Sequence, residues 1–294
     1  MENKIILGCM RISNKSIEEV EQLIETSLSL GINHFDHADI YGNGQSEIIF
    51  GKALKKLNIK REDIIIQSKS SIKPGVSYDA SYDYIIESVK SILKRLDTSY
   101  LDYFLLHRPD PLTDAKEVAR AFKFLYDSKM VLNFGVSNFT PMQIEYLNKN
   151  SSFEIKIDQI QLSITNSLMI DNAINFNMGN DFSINRTSSI LDYAKLNNIS
   201  LQAWSPFQYG NFSGIFLVTD KFSKWNERID FYANKYKVSA MAIVIAWLLR
   251  IPNVSPVVGT TNSERLIKIA EAKNIKLLHD EWYDIYLAAG HILP

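Results

Sequence analysis

Four side chains that together can protonate a carbonyl group lie within or just after three apolar runs of the sequence. Asp36 lies in the second run and Tyr41 follows it, Lys69 ends the third, and His107 ends the fourth. A tyrosine is a weak acid because its ordinary pKa is about 10, and a lysine cation beside it lowers that pKa. Asp36 would keep Lys69 charged, and His107 would orient the carbonyl. No side chain donates hydride, so this chemistry predicts a bound cofactor.

Each of these residues also has an ordinary structural interpretation. Taken singly, the aspartate would be a turn cap, the tyrosine a packed aromatic, the lysine a solvated strand end and the histidine a structural residue. A further interpretation takes His34, Asp36, His37 and Asp39 as metal ligands. Side chains alternate along a strand, so His37 would point away from Asp36. Neither a His-x-His motif nor a later Cys/His set follows, and we expect no metal site.

The elements that would carry these residues alternate between strands and helices. Eight apolar, β-branched runs predict strands at 5–10, 34–38, 63–69, 101–107, 134–138, 157–162, 200–205 and 254–260. Helical periodicity predicts helices at 17–30, 47–57, 82–96, 114–127, 141–148, 188–197, 224–236, 239–249, 262–273 and 280–289. Ser16-Ile17-Glu18-Glu19 fits a capping box, and Gly31 fits the position just after a helix end.

This alternation predicts a parallel sheet, because parallel strands need crossover connections. Eight such units predict a (β/α)8 barrel in one domain spanning 1–294, with the active site at the C-terminal face of the strands. The alternative is a doubly wound open sheet, but no Gly-x-Gly-x-x-Gly follows the first strand. The irregular stretches 163–187 and 208–223 would be loops at the same face.

Composition restricts the class of protein. The chain has 294 residues, 46% of them hydrophobic, and 32 Lys+Arg against 33 Asp+Glu give a net charge of -1. That near-neutral charge gives no electrostatic reason to expect a nucleic-acid partner. The single cysteine cannot form an internal disulfide, which suits a reducing compartment. Without a signal-peptide pattern or an apolar run long enough to span a bilayer, we expect a cytoplasmic protein with no membrane or obligate protein partner.

Several motifs follow one another along essentially the whole chain: Asp36-x-x-x-x-Tyr41-Gly42, Lys69, His107, Gly135-Val136-Ser137-Asn138-Phe139, Ala203-Trp204-Ser205-Pro206 and Gly259-Thr260-Thr261 through Glu264-Arg265. Together they resemble the motifs of the aldo-keto reductase superfamily. The ending, 281–294, resembles that of the bacterial subgroup of predicted oxidoreductases. The resemblance implies NADPH-dependent reduction of an aldehyde or ketone to an alcohol. It makes Tyr41 the acid, tuned by Lys69 and Asp36, with His107 positioning the substrate.

The resemblance also implies residues that bind the cofactor. Ser137, Asn138 and Gln159 would bind the carboxamide, and Trp204 would stack on the nicotinamide ring. Ser205, Pro206 and Phe207 would lie along the cofactor, and Thr260 and Arg265 would contact the adenosine phosphates. The helix N-terminus near Asn262 would help to bind phosphate. Outside these motifs, the serine and asparagine would be turn caps, the tryptophan a core residue and the arginine a solvated helix residue.

Two departures from the family pattern affect the choice of cofactor. Many members have a lysine at the position of Gly259 that contacts the 2′-phosphate, and Glu-Asn where Lys268-Ile269 stand here. Arg265 can still reach a 2′-phosphate with a planar, bidentate donor. We therefore expect NADPH, with NADH also possible.

Two other functions compete with carbonyl reduction. One is a cofactor-binding regulatory subunit on the same fold, like the potassium-channel β-subunits, and the other is a metal-dependent barrel hydrolase. Loops at the barrel mouth set substrate specificity. Arg11 and the stretch 163–187 would line the pocket and favour an anionic or polar carbonyl, unless Arg11 is simply a surface residue.

Overall fold

The computed structural model describes residues 4–210 and 214–294. Its main strands follow the hydrogen-bonded order β1-β10-β9-β8-β7-β6-β3-β2, a closed barrel, and β4 and β5 form a separate antiparallel hairpin. The predicted (β/α)8 fold class is confirmed. The strands are β1 (Ile6–Gly8), β2 (His34–Asp36), β3 (Ile65–Ser70), β4 (Ile72–Lys73), β5 (Ser77–Tyr78), β6 (Leu101–Leu106), β7 (Val131–Ser137), β8 (Ile155–Gln161), β9 (Ser200–Trp204) and β10 (Val254–Val258).

Each barrel strand is followed along the chain by at least one helix before the next barrel strand or the C-terminus. The helices are α1 (Ile17–Ser29), α2 (Gln45–Leu57), α3 (Tyr82–Leu96), α4 (Ala115–Asp127), α5 (Pro141–Asn150), α6 (Leu168–Ile174), α7 (Ile190–Leu196), α8 (Ser223–Tyr236), α9 (Ala240–Leu249), α10 (Ser263–Ala270) and α11 (His279–Ala288). A short 3-10 turn, Tyr41–Gly44, connects β2 to α2. No helix in the described ranges is both long and apolar enough to cross a membrane.

The chain divides into two compact units. The larger comprises 6–159 and 259–263, and the smaller comprises 160–258, 264–294 and the N-terminal residues up to Ile5. In the larger unit, parallel ladders join β1 to β2, β2 to β3, β3 to β6, β6 to β7 and β7 to β8. In the smaller unit, β9 pairs in parallel with β10. The expectation of one domain over 1–294 stays a prediction.

Local sequence signals explain where the helices begin and which faces they bury. The Ser16 hydroxyl accepts from the Glu19 N–H, and the Glu19 carboxylate accepts from the Ser16 N–H, so the predicted capping box is confirmed. Gly31 follows α1 with φ +67°, in the left-handed conformation expected after a helix end. In α3 one apolar face is buried and lies in the core: Ile85, Ile86, Val89, Ile92, Leu93 and Leu96.

The sequence interpretation was wrong in several details. The stretch 163–187 is not only a loop, because it contains α6, whose Met169 and Ile170 are buried. The hairpin β4–β5 was not predicted. Strand β7 begins at Val131 and not at 134 as predicted. The prediction missed its first residues because Leu132, although apolar, is exposed and obscures the alternation of buried and exposed side chains. In the other predicted loop, 208–223, part of the sequence (211–213) lies outside the described residues, and a 3-10 turn covers Asp220–Phe222.

Candidate active site

A buried ion pair lies at the end of two neighbouring strands of the larger unit. Asp36 ends β2, and Lys69 lies near the end of β3; their side chains are 2% and 0% exposed. The Lys69 ammonium donates to Asp36 Oδ1 at 2.6 Å and to the His37 carbonyl oxygen at 2.8 Å. Asp36 Oδ1 also accepts from the side-chain amides of Gln67 at 2.6 Å and Gln159 at 2.9 Å. One carboxylate oxygen therefore joins three strands.

The charges of this pair stabilise each other against burial. Burial raises the pKa of Asp36, but the Lys69 charge and the three hydrogen bonds outweigh it, so the pKa lies below its ordinary value. Burial lowers the pKa of Lys69, and the Asp36 charge and hydrogen bond oppose that change. Removing either partner would leave an unpaired buried charge, so each residue depends on the other for its charged state.

Tyr41 begins the 3-10 turn that follows β2. Its ring lies 5.2 Å from the Lys69 ammonium, measured to the ring centroid. Burial, then the charges of Asp36 and Cys9, raise the pKa of Tyr41 well above 10. The expectation of a lowered pKa for Tyr41 is therefore wrong for this structure, since desolvation of the phenolate dominates whatever stabilisation the Lys69 charge provides. Tyr41 is protonated at neutral pH.

His107 follows β6 directly and faces Tyr41. The two ring centroids are 6.3 Å apart and the rings are nearly perpendicular, at 85°. Backbone hydrogen bonds fix the residue, because its N–H donates to the Ser70 carbonyl at 2.7 Å and to the Ser71 hydroxyl at 3.1 Å. Burial, followed by the Lys69 charge, lowers the pKa of His107 to about 3. The imidazole is therefore neutral at pH 7 and carries one N–H that can donate to a carbonyl oxygen.

The three residues predicted to bind a carboxamide lie together at the ends of β7 and β8. Ser137 pairs with Gln159 in the ladder, and its hydroxyl donates to the Gln159 carbonyl at 2.8 Å. The Asn138 side-chain amide donates to the Ser137 hydroxyl at 2.8 Å. Asn138 has φ +61°, and the buried Asp158 carboxylate accepts from the next backbone N–H, that of Phe139, at 3.4 Å. Amide donors and acceptors are therefore held in a rigid turn.

The other predicted cofactor residues divide between the two units. In the larger unit, Thr260 Oγ1 accepts from the Asn262 N–H at 3.2 Å, and a Cβ added at Gly259 would meet no atom within 4 Å. In the smaller unit, Arg265 is exposed on the first turn of α10. The remaining residues of the smaller unit follow one another at the end of β9 and beyond it: Trp204, Ser205, Pro206 and Phe207.

The metal interpretation gains no support from this geometry. The His37 ring packs edge-on against Phe50, with centroids 4.5 Å apart, as strand alternation predicts for a side chain facing away from Asp36. Burial lowers the pKa of His37 to about 3. Over 4–210 and 214–294, no group of three or more His, Cys, Asp or Glu side chains is placed to hold a metal ion.

The sequence interpretation missed two residues that support the ion pair. Gln67 donates to Asp36 from β3, and its position two residues before Lys69 on the same strand face was the available signal. Glu47 on α2 is fully buried and accepts from the Ser68 hydroxyl at 2.7 Å. Nothing in the sequence distinguishes it from a solvated acidic residue at a helix start.

Comparisons with known proteins show the family to which this chain belongs. A profile of the aldo/keto reductase family matches residues 4–286. The chain is 33% identical to oxidoreductase YdhF of Escherichia coli, covering 99% of this chain and 95% of that protein. It is 32% identical to the 6-dehydroglucose reductase of Agrobacterium fabrum, covering 98% and 94%. A crystal structure of a thermostable aldo-keto reductase with the inhibitor epalrestat superposes with a TM-score of 0.77 at 26% identity, covering 97% and 94%.

A more distant relative is named as a channel subunit and not as an oxidoreductase. The chain is 27% identical to a probable voltage-gated potassium channel subunit beta of Oryza sativa, covering 88% of this chain and 83% of that protein. The match of the family profile over most of the chain nevertheless shows that this protein belongs to the aldo/keto reductase family. With its oxidoreductase relatives, that membership makes the protein an oxidoreductase.

Proposed function

We propose that this protein reduces an aldehyde or ketone to an alcohol, with Tyr41 as the proton donor and NADPH as the source of hydride. The observation that supports this proposal best is the grouping of Tyr41 and His107 with the buried Asp36–Lys69 pair. In an acid that works at neutral pH, the proton must be present before the reaction and the resulting anion must be stabilised afterwards.

Each of the four side chains has a distinct task in this reaction. His107 donates a hydrogen bond to the carbonyl oxygen and orients it toward Tyr41. Tyr41 gives that oxygen its proton. The Lys69 cation, 5.2 Å from the ring, stabilises the phenolate that remains. Asp36 keeps Lys69 charged and fixes its direction.

The residues of the chain fit a nicotinamide dinucleotide. The turn of Ser137 and Asn138 with Gln159 offers amide and hydroxyl groups to a carboxamide. Trp204 offers an aromatic face, and Thr260 and Arg265 offer a hydroxyl and a cation to phosphates. When bound, the cofactor supplies the hydride that no side chain can donate. We propose NADPH as the preferred form and NADH as a weaker alternative, because Arg265 remains while Gly259 replaces a lysine.

The test replaces the proton donor alone. Tyr41→Phe should lower kcat by about 10²- to 10⁴-fold, the usual contribution of a general acid, in an assay of NADPH oxidation with aldehydes, ketones and dicarbonyls. The panel should include 6-dehydroglucose, since a relative is a reductase of that sugar aldehyde. The matched control is Tyr126→Phe, which removes the hydroxyl of a half-exposed tyrosine outside the site.

Binding of NADPH, followed by fluorescence, separates the candidate functions. Retention of NADPH binding by Tyr41→Phe with loss of turnover supports the proposal. If Tyr41→Phe keeps full turnover, the acid is a different group. If the wild type binds NADPH tightly and reduces nothing in the panel, the regulatory function suggested by the channel-subunit relative becomes the better explanation.

A further inference from the structure

Glu47 is a fully buried carboxylate to which the reaction proposed above gives no task. Its Oε1 accepts from the Ser68 hydroxyl at 2.7 Å, and its Oε2 accepts from Arg95 Nε at 2.6 Å. The Arg95 side chain is 24% exposed. A buried carboxylate is tolerated only where it is paired and hydrogen-bonded. Glu47 therefore connects α2 to the two elements that carry its partners, β3 with Ser68 and α3 with Arg95.

One of these partners lies against the turn that carries Tyr41. A Cβ added at Gly44, the last residue of that turn, would lie 2.7 Å from Arg95 Cδ and 2.9 Å from its Nε. Gly44 also has φ +85°, a conformation that glycine adopts readily. The Arg95 side chain, from α3, therefore packs directly on the turn backbone, with no side chain between them.

The other partner lies on the strand that carries Lys69. Ser68 and Lys69 are adjacent in β3, so their side chains point to opposite faces of the strand. Lys69 faces Asp36, and Ser68 faces Glu47 on α2. The carboxylate of Glu47 thus connects β3, through Ser68, to the 41–44 turn, through Arg95.

We propose that Glu47, paired with Arg95, is a positioning residue that holds Tyr41 in its working geometry beside Lys69 and helps to keep Lys69 cationic. This inference rests on the proposed function, because it assigns Glu47 a role in the same proton transfer. Glu47 acts through Tyr41 and Lys69 and does not contact the substrate.

The surrounding charges predict the sign of the effect. Burial lowers the pKa of Lys69, and the charges of Asp36, Cys9 and Glu47 oppose that change. Burial and the Glu47 charge raise the pKa of Asp39 to about 7, against the opposing charges of Arg95 and Lys69. Removing the negative charge of Glu47 should therefore let Lys69 lose its proton at a lower pH.

The experiment compares two substitutions on α2. Glu47→Gln removes the buried charge at nearly constant shape, and Lys55→Gln breaks the exposed Lys55–Asp97 ion pair between α2 and the end of α3. Glu47→Gln should lower kcat by about tenfold to a hundredfold, as misplacement of a catalytic group does. Its KM and its dissociation constant for NADPH should stay within about twofold of wild type. The alkaline limb of its kcat–pH profile should move to lower pH, and Lys55→Gln should match wild type in every measurement.

Ser68→Ala provides a second test in case the charge variant folds poorly. It removes one hydrogen bond to Glu47 without changing any charge, so kcat should fall a few-fold while the alkaline limb stays in place. A kcat in Glu47→Gln equal to that of wild type would overturn the inference. So would a fall in kcat that matches the loss of folded protein and leaves the pH profile unmoved, because a merely stabilising residue behaves in that way.

Hydrogen exchange tests the geometry without relying on turnover. Amide exchange in the segment 41–50 should become faster in Glu47→Gln than in Lys55→Gln, since only the first variant loses the Glu47–Arg95 ion pair that packs on the turn. If the wild type reduces no carbonyl, the proposed function fails, but the exchange rates still show whether the Glu47–Arg95 pair holds the turn in place. Equal exchange in the two variants would overturn the positioning role of Glu47 whatever the activity.

Discussion

Replacing Lys69 with methionine tests the buried ion pair most directly. Methionine keeps much of the length of the lysine stem but leaves the Asp36 carboxylate, 2% exposed, without a cation. Removing one partner of a buried pair costs about 3–5 kcal/mol. The amides of Gln67 and Gln159 still donate to Asp36 Oδ1, so we expect the lower end of that range at pH 7.5.

The penalty should depend on pH with a definite sign. In the wild type the folded-state pKa of Asp36 lies below its ordinary value, so its stabilising contribution is present above about pH 4 and is lost as the pH falls further. Without Lys69, burial dominates and the folded-state pKa lies above the unfolded one. The variant is then relatively most stable below about pH 4 and loses stability as the pH rises through the raised pKa. The difference between the two proteins should therefore shrink on acidification.

Urea unfolding at pH 7.5 and 4.5, followed by tryptophan fluorescence, measures both quantities. The control is Lys15→Met, which breaks the partly exposed Lys15–Glu19 pair and should change the free energy of unfolding by less than about 0.5 kcal/mol. Adding Asp36→Asn to Lys69→Met should restore part of the lost stability, because it removes the unpaired charge. A penalty of the same size at both pH values, or no recovery in the double variant, would refute the assignment to charge and point to packing.

Two glycines give the remaining predictions. Gly51→Ala should destabilise the protein by about 1–3 kcal/mol in the same unfolding assay, because its Cβ would lie 2.5 Å from the backbone oxygen of Leu96. The control is Gly179→Ala, whose added Cβ would meet no atom within 4 Å. A Gly51→Ala variant more stable than wild type would contradict the close approach of α2 and α3. Gly259→Lys should raise the preference for NADPH over NADH by about tenfold, because the new cation would form one charge-assisted hydrogen bond with the 2′-phosphate. The preference is measured as the ratio of the kcat/KM values for the two cofactors. An unchanged ratio would show that residue 259 does not reach the phosphate.

The fold was predictable because the signals that specify it are local and repeated. Each strand of a sheet covered on both faces is a short apolar run, and helix α1 announces its start with the Ser16–Glu19 capping box. The exceptions are elements with weak local signals. Helix α6 is seven residues long in an Asn-rich stretch, so its apolar Leu168, Met169 and Ile170 were too few to show a helical period.

The site was predictable only as far as residue types at strand ends allow. Asp36, Lys69 and His107 stand out because polar residues end apolar strands that converge at one face of a parallel barrel. Glu47 does not stand out, because an acidic residue in the first turn of a helix is favourable in water as well. Its burial depends on Arg95, which lies 48 positions away and which no local pattern connects to it.

The pKa of Tyr41 shows why a set of residues predicted from the sequence is not yet an electrostatic account of the site. A lysine beside a phenol suggests an acid with a lowered pKa, but that argument neglects desolvation, which here raises the pKa well above 10. For the reduction proposed above, this direction is favourable, because the proton is present on Tyr41 at neutral pH and the charge of Lys69 would matter most after transfer, once a phenolate had formed. Burial also weakens the hold of Lys69 on its own proton by lowering its pKa, and the charges of Asp36 and Glu47 oppose that change. In the proposed mechanism, the two carboxylates that face opposite sides of β3, Asp36 and Glu47, would together maintain the cation beside Tyr41.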